Sequence, residues 1–89
     1  MPYIKQSQRD LLDSRIMGLA ASIADLGELN YVLTGIINRY MKRVYDRTYT
    51  SYSMVLGTIE AVKMELYRRG VAPYEDQKRA ENGDVYGYE

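Results

Sequence analysis

Three glutamates on predicted helices, Glu28, Glu60 and Glu65, are the residues best suited to metal chemistry. The 89-residue chain contains no His and no Cys, so a bound metal would have to be a hard cation such as Mg²⁺ held by oxygen atoms. Glu60 and Glu65 are five positions apart. This spacing turns their side chains about 140° away from each other on a helix. It favours solvated helix charges over a chelating pair.

The Gly27-Glu28 pair resembles the helix start of the all-helical MazG-type pyrophosphohydrolases, which hydrolyse nucleoside triphosphates with Mg²⁺. Those enzymes carry paired carboxylates, Glu-Glu-x-x-Glu on one helix and Glu-x-x-Asp on the next. Here Tyr31 occupies the position where a second carboxylate is wanted. The resemblance would make Glu28, Glu60 and Glu65 the metal ligands. We favour a non-catalytic protein without a cofactor, assign no catalytic residue, and keep the Mg²⁺-dependent enzyme as an alternative.

A second alternative is a nucleic-acid-binding accessory protein. Four basic residues follow one another towards and beyond the end of the predicted second helix: Arg39, Lys42, Arg43 and Arg47. Tyrosines lie between them, and aromatic rings can stack on bases. Cations near a helix C-terminus also compensate the helix dipole, however. The 12 basic residues equal the 12 acidic ones, so no overall field attracts nucleic acid, and we do not favour it as a partner.

Apolar residues recur with helical spacing in three segments, and this periodicity predicts an all-α fold. The predicted helices cover residues 7–24, 26–45 and 51–69. Their stripes are Leu12, Ile16, Leu19 and Ile23 on the first, Leu29, Leu33, Ile36, Tyr40 and Val44 on the second, and Val55, Ile59, Val62 and Leu66 on the third. Short connections predict an antiparallel three-helix core. On the second helix, Asn30, Thr34 and Asn38 form a polar seam beside the stripe, which is either the boundary of the core or a row of groups that face a ligand or a partner chain.

Capping signals mark where the predicted helices begin. Asp25 followed by Glu28 has the spacing of a capping box, in which each side chain satisfies a backbone N–H of the first turn. Ser7 is the expected N-cap of the first helix. Either Thr50 or Ser51 is the expected N-cap of the third helix.

Gly70, with Pro73 just beyond it, is the expected stop of the third helix. We therefore predict a helical domain over residues 1–72 and a charged tail over residues 73–89. Pro73 can start a short fourth helix that ends near Glu81. An Asn-Gly turn follows, and Val85, Tyr86 and Tyr88 either fold back or remain loose.

The third helix carries a second apolar line nearly opposite its main stripe, formed by Met54, Gly57, Ala61 and Met64. A helix that is apolar on two faces is either sandwiched within one chain or shared between chains. We expect sharing, and hence a helical-bundle homo-oligomer, most simply a dimer with this line at its interface. The competing arrangement is a monomer whose tail covers the line. No signal peptide or membrane-spanning run is seen, so we expect a cytoplasmic protein without a membrane partner.

Several blocks of the chain resemble a family of small uncharacterised proteins from bacteria, archaea and tailed phages or prophages. The blocks are Met1-Pro2-Tyr3-Ile4, Gly27-Glu28-Leu29-Asn30-Tyr31, Glu60 to Arg69, and the tail from Val71-Ala72-Pro73-Tyr74-Glu75-Asp76 to Glu81-Asn82-Gly83-Asp84-Val85-Tyr86. The resemblance implies no particular activity. The function we expect is a self-associating protein-interaction module whose protein partner is unidentified.

Overall fold

The computed structural model describes residues 2–86, and the regular structure of this range is entirely helical. Its elements are α1 (Gln6–Ser22), α2 (Leu26–Val44), α3 (Tyr49–Leu66), a π-helical segment (Tyr67–Val71) and α4 (Ala72–Asn82). No strand occurs between residues 2 and 86. The predicted all-α fold, with three long helices and a short fourth, is confirmed.

The chain divides into two units, Met1–Leu56 and Gly57–Glu89. The first unit contains α1, α2 and the first turns of α3. The second contains the remainder of α3, the π-helical segment, α4 and the turn that follows it. The division into a domain of residues 1–72 and a tail of residues 73–89 stays a prediction, to which the structure adds that residues 73–82 are helical.

Asp25 caps α2, as predicted. Its Oδ1 accepts a hydrogen bond from the backbone N–H of Glu28 at 2.8 Å. The Oε1 atom of Glu28 accepts from the N–H of Ala24 at 2.9 Å. A standard capping box would use the N–H of the cap residue itself, so the return bond is displaced by one residue. Both bonds are local, and together they start α2 at Leu26 without help from another helix.

Thr48 caps α3, so the predicted caps Thr50 and Ser51 were wrong. The Oγ1 atom of Thr48 accepts from the N–H of Ser51 at 3.2 Å, and Ser51 Oγ accepts from the N–H of Thr48 at 3.0 Å. Ser51 Oγ also donates to the carbonyl of Asp46 at 2.5 Å. Ser51 is only 5% exposed. The reciprocal bonds satisfy donors at the helix start, and they begin α3 at Tyr49, earlier than expected.

The N-cap of α1 is Lys5 rather than the predicted Ser7, which lies inside the helix. The Oε1 atom of Gln8 accepts from the N–H of Lys5 at 3.1 Å and so satisfies the backbone at the helix start. Arg9 Nε donates to the carbonyl of Ile4 at 2.9 Å and holds the preceding segment against the first turn. Because these side chains reach back beyond Ser7, the helix begins before it.

The predicted stop at Gly70 was also wrong, because the helix continues through it. The N–H of Ala72 donates to the carbonyl of Tyr67, five residues back, which is the π-helical pattern. In a regular α-helix, the ring of Pro73 would clash with the carbonyl four residues earlier, on Arg69. A widened turn before a proline relieves such a clash. The proline is thus accommodated without ending the helix.

Gly83 ends α4, where Asn-Gly was expected to turn the chain. Its φ is 92°, in the left-handed region that favours glycine, and no other residue between 2 and 86 has a positive φ. Its N–H donates to the carbonyl of Arg79 at 2.9 Å. Beyond it, Asp84 Oδ1 accepts from the N–H of Tyr86 at 2.8 Å, which shapes the next turn.

The apolar stripes of the first unit remain largely uncovered. Among the described residues, Met41 is the only buried hydrophobic side chain, at 3% exposed. The five stripe residues of α2 are between 39% and 51% exposed, and Leu12, Ile16 and Leu19 of α1 are exposed as well. The antiparallel core expected of the first helices is therefore not closed within the first unit. Together with the flanking Val32 and Ile37, the apolar face of α2 spans roughly 140° of its circumference, which is wider than the ~100° that a single packing contact needs.

We expect Ser51→Ala to lower the free energy of unfolding by about 1–2 kcal/mol, because it removes both the acceptor for Thr48 and the donor to Asp46. Urea denaturation followed by circular dichroism measures the change. Thr50→Ala, one position away on the exposed side of the same turn, is the control, with an expected loss under about 0.5 kcal/mol. Equal losses for the two variants would contradict a special role of the buried hydroxyl.

Candidate functional site

The line of predicted interface residues on α3 is accessible at both ends and open at its centre. Met54 and Met64 are 54% and 63% exposed. A Cβ atom added at Gly57 would meet no heavy atom within 4 Å, and Ala61 is half-buried. The line therefore offers two flexible apolar side chains on either side of two small residues.

The opposite stripe of α3 is accessible too. Val55 is half-buried, whereas Ile59, Val62 and Leu66 are exposed. The helix thus presents apolar residues on two sides, as its sequence indicated, and neither side is closed over. A helix of this kind needs partners on both faces to remove its apolar surface from water.

The tail does not cover this surface in the way that the competing monomer arrangement requires. Val71 just before the tail and the tail residues Tyr74, Val85 and Tyr86 are between 38% and 74% exposed. The acidic residues on either side of Arg79 hold its guanidinium, at 3.7 Å from Asp76 and 4.0 Å from Asp84. Tyr88, which was expected to accompany them, lies outside the described residues.

The stripe of α2 is a surface that sequence reasoning assigned to the interior. Its members Leu29, Leu33, Ile36, Tyr40 and Val44 are exposed, while the flanking Val32 and Ile37 are half-buried. The unusual width of this stripe was the available signal, because a helix with such a stripe needs cover on two sides. Only the structure shows that no helix of the first unit packs over this stripe.

An aromatic and cationic cluster lies at the C-terminal end of α2. The rings of Tyr40 and Tyr45 meet edge to face, with centroids 5.8 Å apart at an angle of 74°. The guanidinium of Arg43 lies 5.9 Å from the centroid of the Tyr40 ring, within cation–π range. A hydrogen bond with the Tyr40 hydroxyl is the main cause that raises the pKa of Tyr45 above its ordinary value of 10.0.

The polar seam of α2 is satisfied within the chain. Thr34 Oγ1 donates to Asn30 Oδ1 at 3.1 Å. Arg47 Nη2 donates to Asn38 Oδ1 at 3.0 Å and so ties the loop after α2 back to the helix. These bonds favour the interpretation of the seam as a structural edge over a row of groups that face a ligand.

Three of the four basic residues considered for nucleic acid contact their own chain. Arg39 Nη1 donates to the carbonyl of Gly35 at 3.2 Å, Arg43 covers Tyr40, and Arg47 binds Asn38. Lys42 and Arg43 belong to the last turn of α2, where cations compensate the helix dipole. These local roles account for the presence of the basic residues without binding to the phosphate backbone of a nucleic acid.

Each of the three glutamates likewise has a local partner. Glu28 binds the N–H of Ala24, Glu60 lies 3.5 Å from the ammonium of Lys63, and Glu65 lies 2.9 Å from the guanidinium of Arg68. Across residues 2–86, no three Asp or Glu side chains come close enough together to hold a metal ion. The described geometry gives the Mg²⁺ alternative no support.

In the described part of the chain, no helix is long and apolar enough to cross a bilayer.

Among known proteins, the chain is similar to one family of uncharacterised domains. The model of a domain of unknown function, DUF6899, matches residues 1–85. No curated protein and no solved structure matches the chain. The match covers the blocks of sequence that suggested an uncharacterised family, except for Tyr86 at the end of the last one, and it is consistent with that resemblance.

Two variants, one at Asp25 and one at Glu28, separate a structural role of this helix start from a metal-binding role. Asp25→Ala is expected to lower the free energy of unfolding by about 1 kcal/mol, since the N–H of Glu28 loses its acceptor. Glu28→Gln keeps an oxygen that can accept from Ala24, so its melting temperature should stay near that of the unchanged protein. Calorimetry with and without Mg²⁺ checks both variants. Stabilisation by Mg²⁺ that Glu28→Gln abolishes would instead favour a metal site.

The tyrosine pair gives a pH-dependent prediction. Because the pKa of Tyr45 is higher in the folded chain, the hydrogen bond stabilises the fold below about pH 10, and this contribution is lost as the pH rises through the folded-state pKa. Tyr40→Phe removes the hydroxyl partner and should return the Tyr45 pKa towards 10.0. NMR titration of ¹³C-labelled tyrosines measures it, with Tyr31→Phe as the control. An unchanged Tyr45 titration in Tyr40→Phe would show that the two hydroxyls are not coupled.

Proposed function

We propose that this chain, which belongs to the DUF6899 family of domains of unknown function, is a self-associating helical protein-interaction module that forms a homodimer. The observation that carries the proposal is the exposure of both apolar faces of α3, with the tail apolar residues exposed as well. Exposed apolar surface of this extent marks interaction sites in soluble proteins. A second copy is the partner that is always present at the same concentration.

The line of Met54, Gly57, Ala61 and Met64 has a spacing suited to contact with its own copy. The intervals of three, four and three residues read the same in both directions, with Met at both ends and small residues at the centre. A two-fold axis perpendicular to α3 would bring Gly57 of one copy beside Ala61 of the other. Two-fold contacts place the same patch of both copies against each other in this self-complementary way.

Side-chain chemistry supports the same contact. Small central residues allow two helix backbones to approach closely, and the flexible thioethers of Met54 and Met64 can fill the irregular gaps at either end. Burial of apolar surface contributes roughly 25 cal/mol per Å² removed from water. A second copy could therefore supply the cover that one short chain lacks.

The surface left outside such a dimer is rich in tyrosine. Tyr31, Tyr49 and Tyr67 are exposed, and Tyr combines a large apolar ring with a hydroxyl that can remain hydrated. Tyrosine is enriched where proteins bind one another. This enrichment supports a role in presenting a docking surface to another protein. A cytoplasmic location and an association with phages stay predictions from the sequence.

Ala61→Glu tests the proposed interface. Light scattering at tens of micromolar is expected to give a dimer mass for the unchanged protein and a monomer mass for Ala61→Glu, because a charge without a partner is costly to bury. Circular dichroism must show that the variant keeps its helices. A monomer mass for the unchanged protein would refute self-association, and a dimer that survives Ala61→Glu would place the interface elsewhere.

Two glycine substitutions make the test sharper. Gly57→Ala and Gly18→Ala each add a methyl group where nothing lies within 4 Å in one chain. Each should raise intrinsic helix stability by about 1 kcal/mol. If Gly57 lies at the close contact of the dimer, Gly57→Ala should nevertheless weaken association, whereas Gly18→Ala should not. Equal dimer dissociation constants for the two variants would contradict a close approach at Gly57.

A further inference from the structure

We infer that α2 is a second self-association surface, which pairs in antiparallel orientation with α2 of a second copy. The inference rests on the proposed function, since it names a second contact through which copies of this chain associate. Its starting point is the stripe of α2, whose members are 39% to 51% exposed although they were expected to form the core. The first unit supplies no helix that closes over them.

The apolar residues of α2 have a spacing that reads the same in both directions. Their order about the midpoint between Thr34 and Gly35 is Leu29, Val32, Leu33, then Ile36, Ile37, Tyr40. Reversing the helix about that midpoint exchanges Leu33 with Ile36 and Leu29 with Tyr40. Two antiparallel copies in this register would therefore place these six apolar residues opposite one another, whereas Val44, the last residue of the stripe, would lie opposite Asp25. This self-complementarity is what a two-fold interface requires.

The charges of α2 select the antiparallel orientation. Its first turn carries Glu28, whereas its last turn carries Lys42 and Arg43. Parallel copies would bring the two cationic ends together, and like charges repel. In the antiparallel register, Glu28 of one copy lies opposite position 41 of the other. Arg43 of that copy is two residues further on, which is a shift of about 3 Å along the helix axis. The helix dipoles would then also oppose each other favourably.

The size of this contact explains why it would act together with α3. The 19 residues of α2 form a helix about 28 Å long and about 10 Å wide. Such a footprint is smaller than the roughly 800 Å² that each partner buries in a standard stable interface. The α2 pair alone is therefore a small contact, and a further contact between copies, such as the one proposed on α3, is expected to strengthen self-association.

Disulfide cross-linking tests the orientation, because the chain has no Cys of its own. Leu33→Cys and Ile36→Cys are prepared as separate full-length proteins with tags of different mass, mixed, and oxidised mildly. Antiparallel pairing predicts that the mixed disulfide between the two variants predominates, since Cβ atoms must approach to about 4 Å. Leu11→Cys, at an exposed position of α1, is the control for random collisions. Predominant self-linked products, or mixed linking no faster than the control, would overturn the inference.

A second measurement separates failure of this inference from failure of the proposed function. Ile36→Glu introduces a charge at a position that is half exposed in one chain, so the monomer should keep its helices, which circular dichroism verifies. Sedimentation equilibrium is expected to show at least tenfold weaker dimerisation for Ile36→Glu and for Ala61→Glu alike. If only Ala61→Glu dissociates the dimer, the α2 surface is refuted. If only Ile36→Glu does so, the α3 surface is refuted and the α2 surface stands.

Discussion

The constraint on which the rest of this structure depends is that the chain has more apolar helix surface than it covers. The stripes of α1 and α2 and both faces of α3 are largely exposed in the described residues, and Met41 is the one buried hydrophobic side chain among them. Exposed apolar surface is unfavourable in water, and a folded chain lowers that cost by associating. The proposed homodimer follows from this constraint, and both candidate surfaces have the self-complementary spacing that a two-fold contact needs.

Because so little of the chain is buried, short-range hydrogen bonds determine where the helices begin and end. Asp25 supplies an acceptor at the start of α2, and Thr48 and Ser51 satisfy each other at the start of α3. Ser51 is the only buried polar residue in the part of the chain that the structure describes, and its hydroxyl also holds Asp46. The connection between α2 and α3 is thereby ordered without a surrounding core.

Local contacts also account for the charged residues that were considered for a metal site or for nucleic-acid binding. Glu28, Glu60 and Glu65 each bind a neighbour on their own helix or at its start. Arg39 and Arg47 bind groups of α2. Side chains engaged in this way stabilise helices, and the apolar stripes and tyrosines are left as the surface that another molecule can recognise.

The sequence by itself determined the helical class, because apolar periodicity and the cap at Asp25 depend only on neighbours a few residues away. It misplaced the starts of α1 and α3, since several side chains near each start could accept the same backbone bonds. It also took Gly70 for a helix end, because a stop and a π turn before Pro73 share one sequence signal. Only the tertiary structure showed that the stripe of α2 is uncovered. Periodicity reveals which face of a helix is apolar, but the cover of that face depends on residues distant in the chain or on another chain.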